Sequence, residues 1–90
     1  MKIMNMLSNR SGRKVANQFH IIDDKGNEFF QSYESIIVKI DKKTGKTILD
    51  KYLWSCSNTT AKYRNQFLME NTKEIKKKIK SGEYILDSLN

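Results

Sequence analysis

The hydrophobic pattern of this chain changes period once, and that change limits the fold more than any other feature. Up to Trp54 the apolar residues come in short branched or aromatic runs separated by turns; from Thr60 onward they recur at helical spacing. VANQFHII (15–22) reads as a strand, and DDKGN (23–27) as a turn in which Gly26 can take positive φ. EFFQSY (28–33) and SIIVKI (35–40) read as two more strands, with Ile36, Val38 and Ile40 on one face, or as one strand bent at Glu34–Ser35. DKKTGKT (41–47) is a hairpin loop and TILDKYLW (47–54) the next strand.

Beyond the switch, Tyr63, Phe67 and Leu68 share one helix face. Asn71 followed three residues later by Glu74 is a capping box. Ile75 and Ile79 continue at i, i+4, and Gly82 is a natural helix stop. Residues 60–80 therefore form one helix or two, and EYILDSL (83–89) closes the chain as a short strand. The expected fold is α+β: an antiparallel meander of three or four strands, then helices packed on one sheet face. Residues 1–12 are expected as a flexible leader and 13–90 as a single domain.

Ninety residues suit one domain with a small core, since a chain this short buries roughly 60–65% of its unfolded surface. With 38% apolar residues it is too hydrophobic for a wholly disordered chain. The single cysteine, Cys56, excludes an internal disulfide and a thiolate zinc site, and fits a reducing compartment. MKIMNMLSNRSG lacks the apolar stretch of a signal peptide, and no run approaches the ~20 apolar residues of a membrane span. A cytoplasmic location without membrane partners is expected.

The formal net charge is +7, unevenly spread: residues 58–82 carry seven basic and two acidic side chains, whereas 20–57 are balanced. A surplus of this kind favours polyanionic partners, although lysine also serves solubility. Two clusters could receive a phosphate. Ser57, Asn58, Thr59 and Thr60 are all good N-cap types, and one of them must cap the helix. The surplus hydroxyls of Ser57, Thr59 and Thr60, with Lys62 and Arg64 beside them, suit an anion at a helix N-terminus. In KEIKKKIK (73–80), Lys73, Lys77 and Lys80 fall opposite Ile75 and Ile79, with Lys76 alongside, as a basic stripe. A solvated helix face accounts for the same stripe.

The aromatics Phe29, Phe30, Tyr33, Tyr52, Trp54, Tyr63 and Phe67 could stack on bases, but a small domain needs most of them for its core. Catalysis has little support. His20 is the lone histidine, a Cys56–His20 dyad has no spacing argument, and there is no glycine-rich phosphate loop. No enzyme, metal or cofactor is expected.

FFQSYESIIVKI and WSCSNTTAKYRNQFL together resemble a small domain recurring in bacteriophage and related mobile-element proteins. Its pattern is aromatic-x-Ser-Tyr, met here by Phe30, Ser32 and Tyr33. A second segment is met by Trp54, Ser57, Thr59, Thr60, Lys62, Tyr63, Phe67 and Leu68. The likeness covers about residues 15–89. Tyr63 stands where other members often have histidine, which counts against catalysis there. The family carries no assigned activity, so the resemblance implies a setting: a phage accessory protein in the host cytoplasm. Two function classes follow. One is a non-enzymatic protein that binds nucleic acid or a nucleoprotein through its basic helical face. The other is an anti-defence inhibitor, for example an anti-CRISPR, that binds a host effector protein. An edge-paired homodimer is a third arrangement the sequence leaves open.

Overall fold

The computed structural model describes residues 1–90. The elements in chain order are β1 (Lys2–Leu7), β2 (Lys14–Ile22), β3 (Glu28–Ser32), β4 (Ser35–Ile40), β5 (Thr47–Asp50), α1 (Asn58–Leu68), α2 (Thr72–Ser81) and β6 (Tyr84–Asp87). They form an α+β domain with one six-stranded sheet in sequential order. β1 to β5 are an antiparallel meander, and β6 lies parallel to β5. A parallel neighbour needs a crossover, and the two helices supply it. No helix is long and apolar enough to cross a membrane.

The expected leader is corrected over part of its length. Lys2–Leu7 pairs with β2, setting Met4 opposite His20 and Asn5 opposite Phe19, and Met6 is buried. KIMNML has few branched residues, so its sequence carries a weak strand signal. β5 is shorter than TILDKYLW, because the Asp50 carboxylate accepts from the N–H groups of Tyr52 (3.1 Å) and Leu53 (3.0 Å) and turns the chain.

One sheet row, Phe30, Val38 and Leu49 in register on β3, β4 and β5, is fully buried under the helices. Tyr63 and Ile75 cover it from α1 and α2, and Phe67, Leu68 and Ile79 pack around them. The expectation of Ile36, Val38 and Ile40 on one face is modified by a bulge. Phe30 pairs with Val38 while Gln31 pairs with Ile36, so Ile37 is an extra residue and joins Val38 in the core. Ser32 and Ser35 pair across a two-residue hairpin in which Tyr33 takes φ 56°, a left-handed conformation uncommon for an aromatic residue. The opposite sheet row, Ile21, Phe29, Lys39, Ile48 and Ile85, is half-buried and carries no helix.

Candidate nucleic-acid interface

Ser57 is the N-cap of α1. Its backbone is extended and its Oγ accepts the Thr60 N–H at 3.1 Å. Asn58 and Thr59 occupy the first turn and are exposed. Thr60 is different: it is buried, and its Oγ1 lies 3.0 Å from both Ser32 Oγ and Ser57 Oγ. The cluster therefore divides. Thr60 pins α1 to β3 and is closed to solvent, whereas Ser57 and Thr59 remain on the surface. Phe30 and Phe67 stack at 5.9 Å in the same seam. Residues of the two sequence segments, Ser32 with Thr60 and Phe30 with Phe67, thus meet as a structural joint between β3 and α1.

Arg64 is the second residue placed away from the surface. It is fully buried without a carboxylate partner. Its guanidinium donates to the Trp54 carbonyl, to Thr72 Oγ1 (3.0 Å) and to Asn65 Oδ1 (3.2 and 2.9 Å). It also lies 5.2 Å from the Trp54 ring. Burial lowers its pKa from the ordinary arginine value. The planar fork thus fastens the loop after β5, the middle of α1 and the start of α2. As an anion ligand it is unavailable, since it is closed to solvent and four of its five N–H donors are taken up by these internal bonds.

The α2 lysines behave in the opposite way. Asn71 and Glu74 form the expected capping box (Glu74 N–H to Asn71 Oδ1, 2.9 Å; Asn71 N–H to Glu74 Oε1, 3.1 Å). Gly82 ends the helix at φ 85°. Ile75 and Ile79 turn inward, which leaves Lys73, Lys76, Lys77 and Lys80 exposed at i, i+3, i+4 and i+7. None of the four is in an ion pair. Glu74, the sole acid of α2, is turned back onto its own cap. Lys62 is exposed on α1, with its Nζ 5.4 Å from the Tyr63 ring. Of the nine sequence-selected residues, the structure joins four in one stripe, leaves Ser57, Thr59 and Lys62 exposed on α1, and buries Thr60 and Arg64.

Sequence reasoning missed the role of the remaining α2 lysine. Lys78 pairs with Glu70 and Glu83 and lies 5.2 Å from the Tyr84 ring, while the Tyr84 hydroxyl donates to Glu70. The hydrogen bond to Glu70 raises the Lys78 pKa despite partial desolvation. Burial first, then Glu70, pushes the Tyr84 hydroxyl up to about 12. Spacing gave no signal for the role of Lys78, since Glu70 precedes α2 while Glu83 and Tyr84 follow it, and the i, i+4 rule points instead to Glu74.

Among the aromatics, Phe30 and Tyr63 are core residues, while Tyr33 and Tyr52 are largely exposed. His20 and Cys56 do not meet as a dyad. His20 Nε2 lies 2.8 Å from Glu28 Oε1 and its ring stands edge-on to Phe67, whereas the Cys56 thiol reaches Thr60 Oγ1 at 3.7 Å. No three His, Cys, Asp or Glu residues gather as a metal-binding group.

Fold and surface together define a small α+β domain with one unpaired cationic helix stripe and one sheet face left open. The chain belongs to a family of unknown function (DUF8033), whose match spans residues 1–83. No curated protein and no solved structure matches it.

Proposed function

We propose that this protein is a non-enzymatic nucleic-acid-binding module that uses α2 as its contact surface. The observation that carries the reading is the run Lys73, Lys76, Lys77 and Lys80, exposed and without acidic partners on a helix whose other lysine is paired. Four cations along one face follow a phosphate backbone and gain affinity by counterion release. Exposed Thr59 and Lys62 on α1 supply positioning contacts rather than sequence readout, whereas the Ser57 hydroxyl is committed to the cap, donating to Thr60 Oγ1. The setting proposed with it, from the sequence resemblance, is a phage accessory protein acting in the host cytoplasm. The same cationic stripe would also serve an inhibitor that displaces nucleic acid from a host effector, and a direct binding assay separates the two.

The test is fluorescence anisotropy of labelled single- and double-stranded DNA and RNA. The reading expects dissociation constants well below ~100 μM at physiological salt, tighter than generic basic attraction. It also expects most of that affinity to disappear in the Lys73→Glu, Lys76→Glu, Lys77→Glu, Lys80→Glu variant. Thr59→Ala serves as the α1 probe, because Thr59 is exposed and does not cap the helix. Binding no tighter than ~100 μM for every probe overturns the nucleic-acid reading and favours the effector-binding class.

A further inference from the structure

Beside β1, away from the lysine stripe, three observations converge. First, β1 is an edge strand: β2 pairs with one side and no strand pairs with the other, although Gln66 Nε2 donates to the carbonyl of its last residue, Leu7, at 2.7 Å. Natural edges are commonly guarded by charge, proline or brevity, yet Lys2–Leu7 is six residues long with one charge, Lys2. The irregularity between Asn5 and Leu7 leaves Lys2–Asn5 in regular register. Second, all four methionines of the chain lie in this region. Met4, Met6 and Met69, with Leu7 and Phe67, line a groove of about 300 Å³ between β1 and the end of α1, and Met1 heads the strand. Methionine surfaces re-pack readily against a partner. Third, Met69 ends α1 at φ 58° and is 90% exposed. Glycine is the usual residue in that left-handed position, so the side chain bears a conformational cost with no burial within the chain to offset it.

We infer that β1 pairs antiparallel with β1 of a second copy, so that the two sheets join and the methionine grooves of both copies close over the seam. The strand is suited to itself. With Met4 on the two-fold axis, Lys2 faces Met6 and Ile3 faces Asn5, so no like charges oppose each other. That register also keeps both helical layers on the same side of the joined sheet, because residues of equal parity share a face. The area is adequate. Met1, Ile3, Met4, Leu7 and Met69 are 75%, 61%, 43%, 49% and 90% exposed. At no more than about 200 Å² for a fully exposed large side chain, they offer at most on the order of 600 Å² per copy, at the lower end of specific interfaces. The other edge, β6, is four residues long and carries Asp87. Pairing β1 with β6 would be head-to-tail and would run on into open assemblies, whereas β1 with β1 closes at two. Each copy carries +7, so added salt screens the repulsion and strengthens the pair, the reverse of its effect on nucleic-acid binding. The pairing does not depend on the nucleic-acid reading.

Sedimentation equilibrium of the full chain at low and moderate salt tests the inference. The expected result is a species of twice the 10.6 kDa chain mass, favoured by the higher salt. Ile3→Lys is expected to weaken association at least tenfold. Met69→Gly, which relieves the left-handed strain, is expected to weaken the dimer while raising the Tm of the monomer, read at a concentration below the dissociation constant. That pairing of effects separates a disrupted interface from a disrupted fold. A monomer throughout the micromolar range overturns the inference, as do assemblies larger than two or dimers unaffected by both substitutions.

Discussion

Gln18 is the residue whose replacement most sharply probes how the core is held. It lies on β2 opposite Ser32, is fully buried, and neither its Oε1 nor its Nε2 has a hydrogen-bond partner. The Ser32 hydroxyl beside it is committed to Thr60. A buried, unsatisfied amide costs about 1–3 kcal/mol relative to an apolar group of the same shape. Methionine has the same unbranched length, and a volume-conserving exchange costs under about 1.5 kcal/mol in repacking. Gln18→Met should therefore stabilise the fold by about 1–2 kcal/mol, a rise in Tm of about 4–16 °C for a chain of this size. Urea titration followed by circular dichroism reads the change as a higher midpoint with an unchanged slope. A midpoint equal to or below wild type would refute the reasoning, because it would mean that the amide is satisfied in the folded protein.

Thr60→Val should destabilise the domain by about 1–2 kcal/mol, since the Ser32 and Ser57 hydroxyls would be deprived of their shared partner; chemical denaturation checks this, and nucleic-acid affinity of the folded variant should be unchanged. The Glu70–Lys78–Tyr84 group makes stability depend on pH at both ends. Burial opposes the Glu70 charge, but Lys78 and the Tyr84 hydroxyl prevail and lower its pKa, so its contribution is present above its unfolded value of 4.5 and is lost as pH falls through the folded value. The Tyr84 pKa is raised, so its contribution is present below its unfolded value of 10.0 and is lost as pH rises through about 12. Spectroscopic titration of the tyrosines should show one late ionisation that moves earlier in Glu70→Gln, and an unmoved late step would refute the assignment.

Elements whose local chemistry and tertiary packing agree were legible in the sequence. SIIVKI is β4 at the expected bounds, the Asn71–Glu74 capping box forms, and Gly82 ends α2, because each depends on residues within a few positions of one another. β1 was not legible, since its pairing rests on a partner strand and its residues are poor strand formers. The bulge at Ile37 was hidden for a similar reason: it exists only in the pairing of β4 with β3.

The candidate site divides along the same line. Helical spacing alone placed Lys73, Lys76, Lys77 and Lys80 together, because Ile75 and Ile79 fix which way α2 faces. Spacing could not reveal that Thr60 and Arg64 turn inward. An arginine without a nearby acid in the sequence reads as a surface cation, yet Arg64 is held by a carbonyl, an amide and a hydroxyl that come together only in the folded chain. The surplus hydroxyls of the α1 cap resolve in the same way, with one cap-type residue, Thr60, used to join helix and sheet.

The salt dependence of nucleic-acid binding tests the central claim most directly. The logarithm of affinity should fall linearly with the logarithm of salt concentration for the wild-type chain. For duplex DNA, reversing Lys73, Lys76, Lys77 and Lys80 should make that slope shallower by up to about 3–4 units, roughly 0.9 for each phosphate that is no longer neutralised. An equal slope in the two proteins would contradict the assignment of α2 as the contact surface.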